Sequence, residues 1–162
     1  MPEHSRNGRQ ANATLARGRG RARRFAMQAI YQWQMTADDI GDIKRQYIDD
    51  NRMDAEDSAA DRDYYAELVE GVYNMLEQID PLLERFMPRT IDAVDPVERA
   101  ILRIATYELM QRLDVPYRVV LNEAVMLTKK FCSEQSHTFI NAVLDKVARE
   151  VRQMETGLSS GR

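Results

Sequence analysis

Apolar residues recur at intervals of three and four along most of this chain, the spacing of one helix face after another. Phe25, Ala26, Ala29, Ile30 and Trp33 share a stripe while Arg23, Arg24, Gln28 and Gln32 fall largely elsewhere, so an amphipathic helix is expected from Phe25. Ile43, Tyr47 and Ile48 predict a short helix over about Ile40 to Ile48. Residues 49–63, with seven acids and two arginines, predict a solvated loop. Tyr65, Leu68, Val69, Val72, Leu76 and Ile79 mark a helix from Tyr64 to Ile79, with Asp61 or Asp63 available to cap it. Pro81 starts or interrupts the next turn, and Leu82, Leu83, Phe86 and Met87 make a short apolar helix closed by Pro88.

Asp95-Pro96-Val97-Glu98 places an acceptor at N-cap, proline at N1 and glutamate at N3, a capping box with Asp in place of Ser or Thr. A long helix to about Arg112 follows, its core face reading Ile101, Leu102, Ala105, Leu109 and Leu113, with Arg99 and Arg103 on another side. Pro116 separates it from a helix over roughly Arg118 to Phe131, built on Val120, Leu121, Ala124, Val125, Leu127 and Phe131. Ser133 or Ser136 can cap the last helix, whose stripe is Phe139, Ile140, Val143, Leu144, Val147 and Val151. No segment alternates as a strand does and no internal repeat is present, so the expected fold is all-α, a single compact bundle of about seven helices joined by short loops.

At 162 residues the chain suits one domain with tails, and a two-domain enzyme is not expected. Residues 1–20 hold Gly8, Gly18 and Gly20 and almost nothing apolar, so they read as a flexible, disordered basic arm. Residues 21–155 are the helical domain and 156–162 a flexible C-terminal tail. The formal charge of -3 conceals an asymmetry, because residues 1–24 carry seven Arg against one Glu and leave an acidic body behind a basic arm. That arrangement points to a polyanionic partner, nucleic acid before a membrane surface. The Arg-rich start lacks the apolar run of a secretory signal and no 18-residue apolar stretch occurs, so a cytoplasmic location is expected.

Reactive chemistry is thin. The two histidines, His4 and His137, and the lone Cys132 assemble neither a metal site nor a disulfide, and no phosphate-cradling glycine motif is present, so neither catalysis nor a cofactor is expected. Cys132 reads as a small buried group. Arg17, Arg19, Arg21, Arg23 and Arg24 cluster before an apolar helix, and guanidinium forks pair with phosphate without a preformed pocket. A solubilising tail is the plainer reading of the same charge. Phe139 and Tyr31 are candidate base-stacking rings or simple core packing. Glu98 can close its cap or receive a basic partner, Glu108 can pair with Arg103 or Arg112, and Glu123 can face solvent.

Four segments in series, Arg21-Ala22-Arg23-Arg24-Phe25 through Trp33, Val97-Glu98-Arg99-Ala100-Ile101-Leu102-Arg103 through Leu109, Asp114-Val115-Pro116-Tyr117 with Asn122-Glu123-Ala124, and Ser136-His137-Thr138-Phe139-Ile140-Asn141 through Lys146, resemble the bacterial NusB transcription antitermination factor family from about residue 19 to 151. The module also resembles the N-terminal domain of certain ribosomal-RNA cytosine methyltransferases, but no methyltransferase domain is expected here. The resemblance implies a non-enzymatic seven-helix protein that pairs with NusE, a small-subunit ribosomal protein. With NusE it would bind the single-stranded boxA element of ribosomal-RNA leader transcripts and join the other Nus factors on RNA polymerase. By position it implies RNA contacts for Arg19, Arg21, Arg23, Arg24, Gln135, Ser136, His137 and Phe139, and NusE contacts for Tyr31 and Glu98. Gly20 interrupts the arginine run, Cys132 and Ala142 stand where the family often has glycine, and nothing transfers to residues 1–16. A protein-only helical adaptor is the alternative, and whether an apolar stripe is covered by its own chain or by a second copy, as in a homodimer, is open.

Overall fold

Backbone hydrogen bonding produces eight α-helices and one 3-10 turn among residues 2–49 and 60–157, which the computed structural model describes. They are α1 (Pro2–Thr36), α2 (Ile40–Asp49), α3 (Arg62–Asn74), α4 (Leu76–Glu84), a 3-10 turn (Ile91–Ala93), α5 (Pro96–Gln111), α6 (Tyr117–Phe131), α7 (Ser136–Val151) and α8 (Gln153–Thr156). No strand occurs among the described residues, and the all-α expectation holds. Most of the acidic loop, residues 50–59, and the end of the C-terminal tail, 158–162, lie outside the described residues. The chain divides into two compact units, 1–69 and 70–162.

In the first unit the segment expected to be a free arm continues α1 from Pro2. Residues 7–17 of it are exposed, so only local hydrogen bonding supports this stretch, and a helix without a packed face is marginal in water. Gly18 is the first buried residue, and its carbonyl accepts the Asp61 N–H at 2.9 Å. From there the predicted stripe is buried, with Phe25, Ala26, Ala29 and Ile30 in the core. α1 closes at Ala37, whose φ of 57° is a left-handed helix stop. Asp39 Oδ1 then accepts the Asp42 N–H at 3.0 Å, the N-cap of α2. Asp61 rather than Asp63 caps α3, accepting the Tyr64 N–H at 2.9 Å. A chain of rings joins the three helices: Phe25 meets Tyr47 edge-on with centroids 6.4 Å apart, and Tyr47 lies 6.3 Å from Tyr65. The Tyr65 hydroxyl donates to the Lys44 carbonyl at 3.1 Å, and burial, with Tyr47 beside it, pushes its phenol pKa up.

The helix predicted over Tyr64 to Ile79 breaks at Met75, and α4 carries Pro81 inside it. Proline has no N–H for the Glu77 carbonyl, yet the helix is interrupted at Met75, six residues before the proline, and not at the proline itself. α5 is the centre of the second unit, packed by α4, α6 and α7. Its start is as the sequence reads: Asp95 Oδ1 accepts from the Val97 and Glu98 N–H groups at 3.0 and 3.4 Å. Its faces are not. Every residue from Ala100 to Leu109 is buried, whereas Leu113, read as core, is 68% exposed. A helix surrounded on all sides has no polar face, so Arg103, read as lying off the core face, is buried with a bidentate bond to Asp80 (Nε–Oδ1 3.0 Å, Nη2–Oδ2 2.8 Å). Gly71 is what lets the Tyr107 ring come close against its backbone, since a Cβ there would sit 2.1 Å from that ring.

A surrounded helix also leaves its last carbonyls without water. The buried Arg152 guanidinium takes them up, donating to the carbonyls of Leu109 (2.7 Å), Arg112 (2.8 Å), Val115 (2.9 Å) and Glu108 (3.2 Å), with Glu155 as its counter-ion at 2.6 Å. Arg152→Met should lower unfolding stability by about 3 kcal/mol or more, because several buried acceptors lose their donor at once. Urea denaturation measures it. An Arg152→Met protein as stable as the parent would remove this cap from the account.

Candidate nucleic-acid interface

A helix that carries arginines at 17, 19, 21, 23 and 24 must divide them between two faces, since residues four apart align and residues two apart do not. Arg19 and Arg23 fall on one face, with guanidinium carbons 4.8 and 5.5 Å from the centroid of the buried Tyr64 ring. Arg23 is only 3% exposed there, and this places it against Tyr64 rather than at the surface where the sequence reading put it. Arg17, Arg21 and Arg24 follow the other face at spacings of four and three. Arg17 is exposed and the other two are partly so. Partial burial, then the like charge of Arg21, lowers the Arg24 pKa, the signature of cations gathered on one side. Tyr31 lies further along α1 and is 39% exposed.

In the second unit the remaining predicted residues gather at the start of α7. Gln135 is exposed at the N-cap but makes no capping bond, and neither serine caps as predicted. Ser133 and Ser136 instead share a hydrogen bond at 2.9 Å between their hydroxyls. His137 Nδ1 contacts the Glu134 carbonyl. Phe139 is half-buried, and the guanidinium carbon of Arg89 stands 5.1 Å from its ring centroid. Nothing local in Pro88-Arg89-Thr90 announces that contact, which spans fifty positions of sequence.

Glu98 sits in the first turn of α5, half-exposed, and among the described residues no hydrogen bond takes its carboxylate back to Asp95. The reciprocal half of the capping box is therefore unmade, and the carboxylate is available to a cationic partner. It acts on Cys132: burial first, then the charges of Glu98 and Asp95, push the thiol up to about 11. A thiol so protonated at neutral pH is not a nucleophile. Cys132 closes α6 in extended backbone (φ -124°), which any residue adopts, and Ala142 is exposed on α7, so neither departure from glycine strains the fold. Glu108 is 1% exposed, Glu123 is half-buried rather than solvent-facing, and Arg112 reaches Asp114 at 3.1 Å. Among the described residues no group of His, Cys, Asp and Glu could hold a metal ion, and no helix is long and apolar enough to cross a membrane.

The NusB family model matches residues 20–149. A transcription antitermination protein NusB from Xanthomonas axonopodis pv. citri is 44% identical over 156 residues, covering 96% of this chain and 95% of that protein. One from Idiomarina loihiensis is 45% identical over 134 residues, covering 83% and 94%. Among solved structures, T. maritima NusB superposes with a TM-score of 0.73 at 27% identity, covering 86% of this chain and 97% of that one. A chain from the crystal structure of antitermination factors NusB and NusE in complex with dsRNA gives 0.74 at 26% identity, covering 83% and 98%.

Removing the charge of Glu98 should lower the Cys132 pKa from about 11, because a nearby anion disfavours the thiolate. Alkylation with iodoacetamide across pH 7–10 should be slow in the parent and faster in Glu98→Gln, with its profile moved to lower pH. Identical profiles would separate the two groups.

Proposed function

The chain belongs to the NusB family, and from that premise we infer that it is a transcription antitermination factor, a non-enzymatic protein that binds RNA together with NusE and joins the Nus factor complex on RNA polymerase. The observation that carries this reading is the continuous family match over residues 20–149 on an all-helical chain whose N-terminal helix is strongly cationic. Its RNA is the single-stranded boxA element of ribosomal-RNA leader transcripts, and its place of action is the cytoplasm.

The residues divide the work as follows. Arg17, Arg21 and Arg24 contact phosphates from the open face of α1, while Arg19 and Arg23 hold that helix to Tyr64; the outer edge of Arg19 adds a further donor. The start of α7, with Gln135, Ser136, His137 and the Phe139 ring beneath them, forms the surface on which bases sit, which single-stranded RNA offers unstacked. Tyr31 and Glu98 receive NusE, a half-exposed carboxylate and an exposed phenol suiting a basic ribosomal protein. A protein-only adaptor finds no use for a cationic stripe on one helix face.

Anisotropy of a labelled single-stranded boxA-type RNA, titrated with the full chain plus NusE across salt, tests this. Three phosphate contacts predict a log-log slope contribution of about -2, from about -0.7 per phosphate. The triple variant Arg17→Ala, Arg21→Ala, Arg24→Ala should lose that contribution. Arg23→Ala should lower the melting temperature while leaving the slope near that of the parent. Absence of RNA binding by the parent complex, or an unchanged slope in the triple variant, would leave the protein-only adaptor as the better account.

A further inference from the structure

The acidic second unit gives most of its arginines an internal partner. Arg85 reaches Glu150 at 3.2 Å, Arg103 holds Asp80, Arg112 reaches Asp114, Arg149 bonds Asp145 at 2.9 Å and Arg99 donates to the Val94 carbonyl at 3.2 Å. Arg89 differs. It is exposed between α4 and α5, makes no hydrogen bond or ion pair among the described residues, and rests its guanidinium on the half-buried Phe139 ring. A guanidinium laid on an aromatic face leaves its outer face bare and keeps its N–H donors pointing outward around the edge. An exposed cation backed by a ring is the pairing with which proteins hold unpaired bases, because every base has a π-face and a neighbouring phosphate.

We propose that Arg89 and Phe139 together form a stacking platform for one unpaired RNA base, the base lying on the outer face of the guanidinium and the adjoining phosphate taking its N–H edge. This rests on the RNA-binding reading above and adds to it a residue from outside α1 and α7. Phe139 thereby acts through Arg89, as the backing that fixes the plane of the guanidinium.

The test uses the full chain with NusE and a series of boxA-type RNAs carrying 2-aminopurine at successive positions. In the parent, one position should show strong fluorescence quenching on binding. Arg89→Ala should weaken RNA binding by about tenfold or more, reduce the salt slope by about 0.7 and abolish that quenching. Arg89→Lys keeps the charge without the plane, so it should keep the slope but lose the quenching and most of the affinity. Phe139→Leu, which keeps an apolar side chain on α7, should cost little more in the Arg89→Ala background than Arg89→Ala alone. Parent-like affinity, slope and quenching in both Arg89 variants would overturn the platform while leaving RNA binding standing. Failure of the parent complex to bind any RNA in the series would overturn both.

Discussion

Burial of α5 on every side is the constraint from which the second unit follows. Ten consecutive residues of this helix are buried, and both of its ends take internal partners. At the start Asp95 and Pro96 supply them, one by accepting two N–H groups and the other by having none to satisfy. At the finish Arg152, the residue that closes α7, covers four carbonyls with one guanidinium. Midway, Arg103 is admitted only because Asp80 of α4 meets it fork to fork. These polar ties pin α4 and the end of α7 to α5, and so fix where the first turns of α5 and α7 emerge. Those two turns carry Glu98 and Phe139, the groups assigned to partner and base.

On the proposed reading, the arginine run serves structure and binding together. Helical geometry splits it, and the aromatic ring of Tyr64 takes one half. A guanidinium packed on a ring stabilises the attachment of α1 by dispersion and by the ring's electron density. The other half stays exposed enough to meet phosphate, and mutual repulsion within it is relieved when an anion arrives. The charge asymmetry along the chain thus has two physical meanings that composition alone cannot separate.

Much of this was legible before any coordinates. Helix periodicity located the packed part of each long helix, the Asp95-Pro96 cap marked the start of α5, and Asp61 stood among the named caps of α3. Four motifs in series pointed to the family. What periodicity misses is a helix with no exposed face: the apolar stripe runs on to Leu113, which is exposed, while Arg103, off that stripe, is buried. The break at Met75 and the close approach of Tyr107 to Gly71 depend on packing between distant segments. Arg152 and Arg89 escaped for the same reason, each meeting its partner from roughly forty to fifty positions away with no local pattern to announce it. At the N-terminus composition describes a segment with nothing to bury, and residues 7–17 remain exposed although they continue α1, so the two readings differ in backbone and agree in packing.

This chain, NusE and RNA are expected to assemble with positive linkage, each making the others bind more tightly. Calorimetric titration of NusE into the full chain, alone and saturated with single-stranded boxA-type RNA, addresses it most directly. The account predicts NusE affinity higher in the presence of RNA by at least about fivefold, the lower end of ordinary coupling between sites. Equal affinities with and without RNA would contradict it.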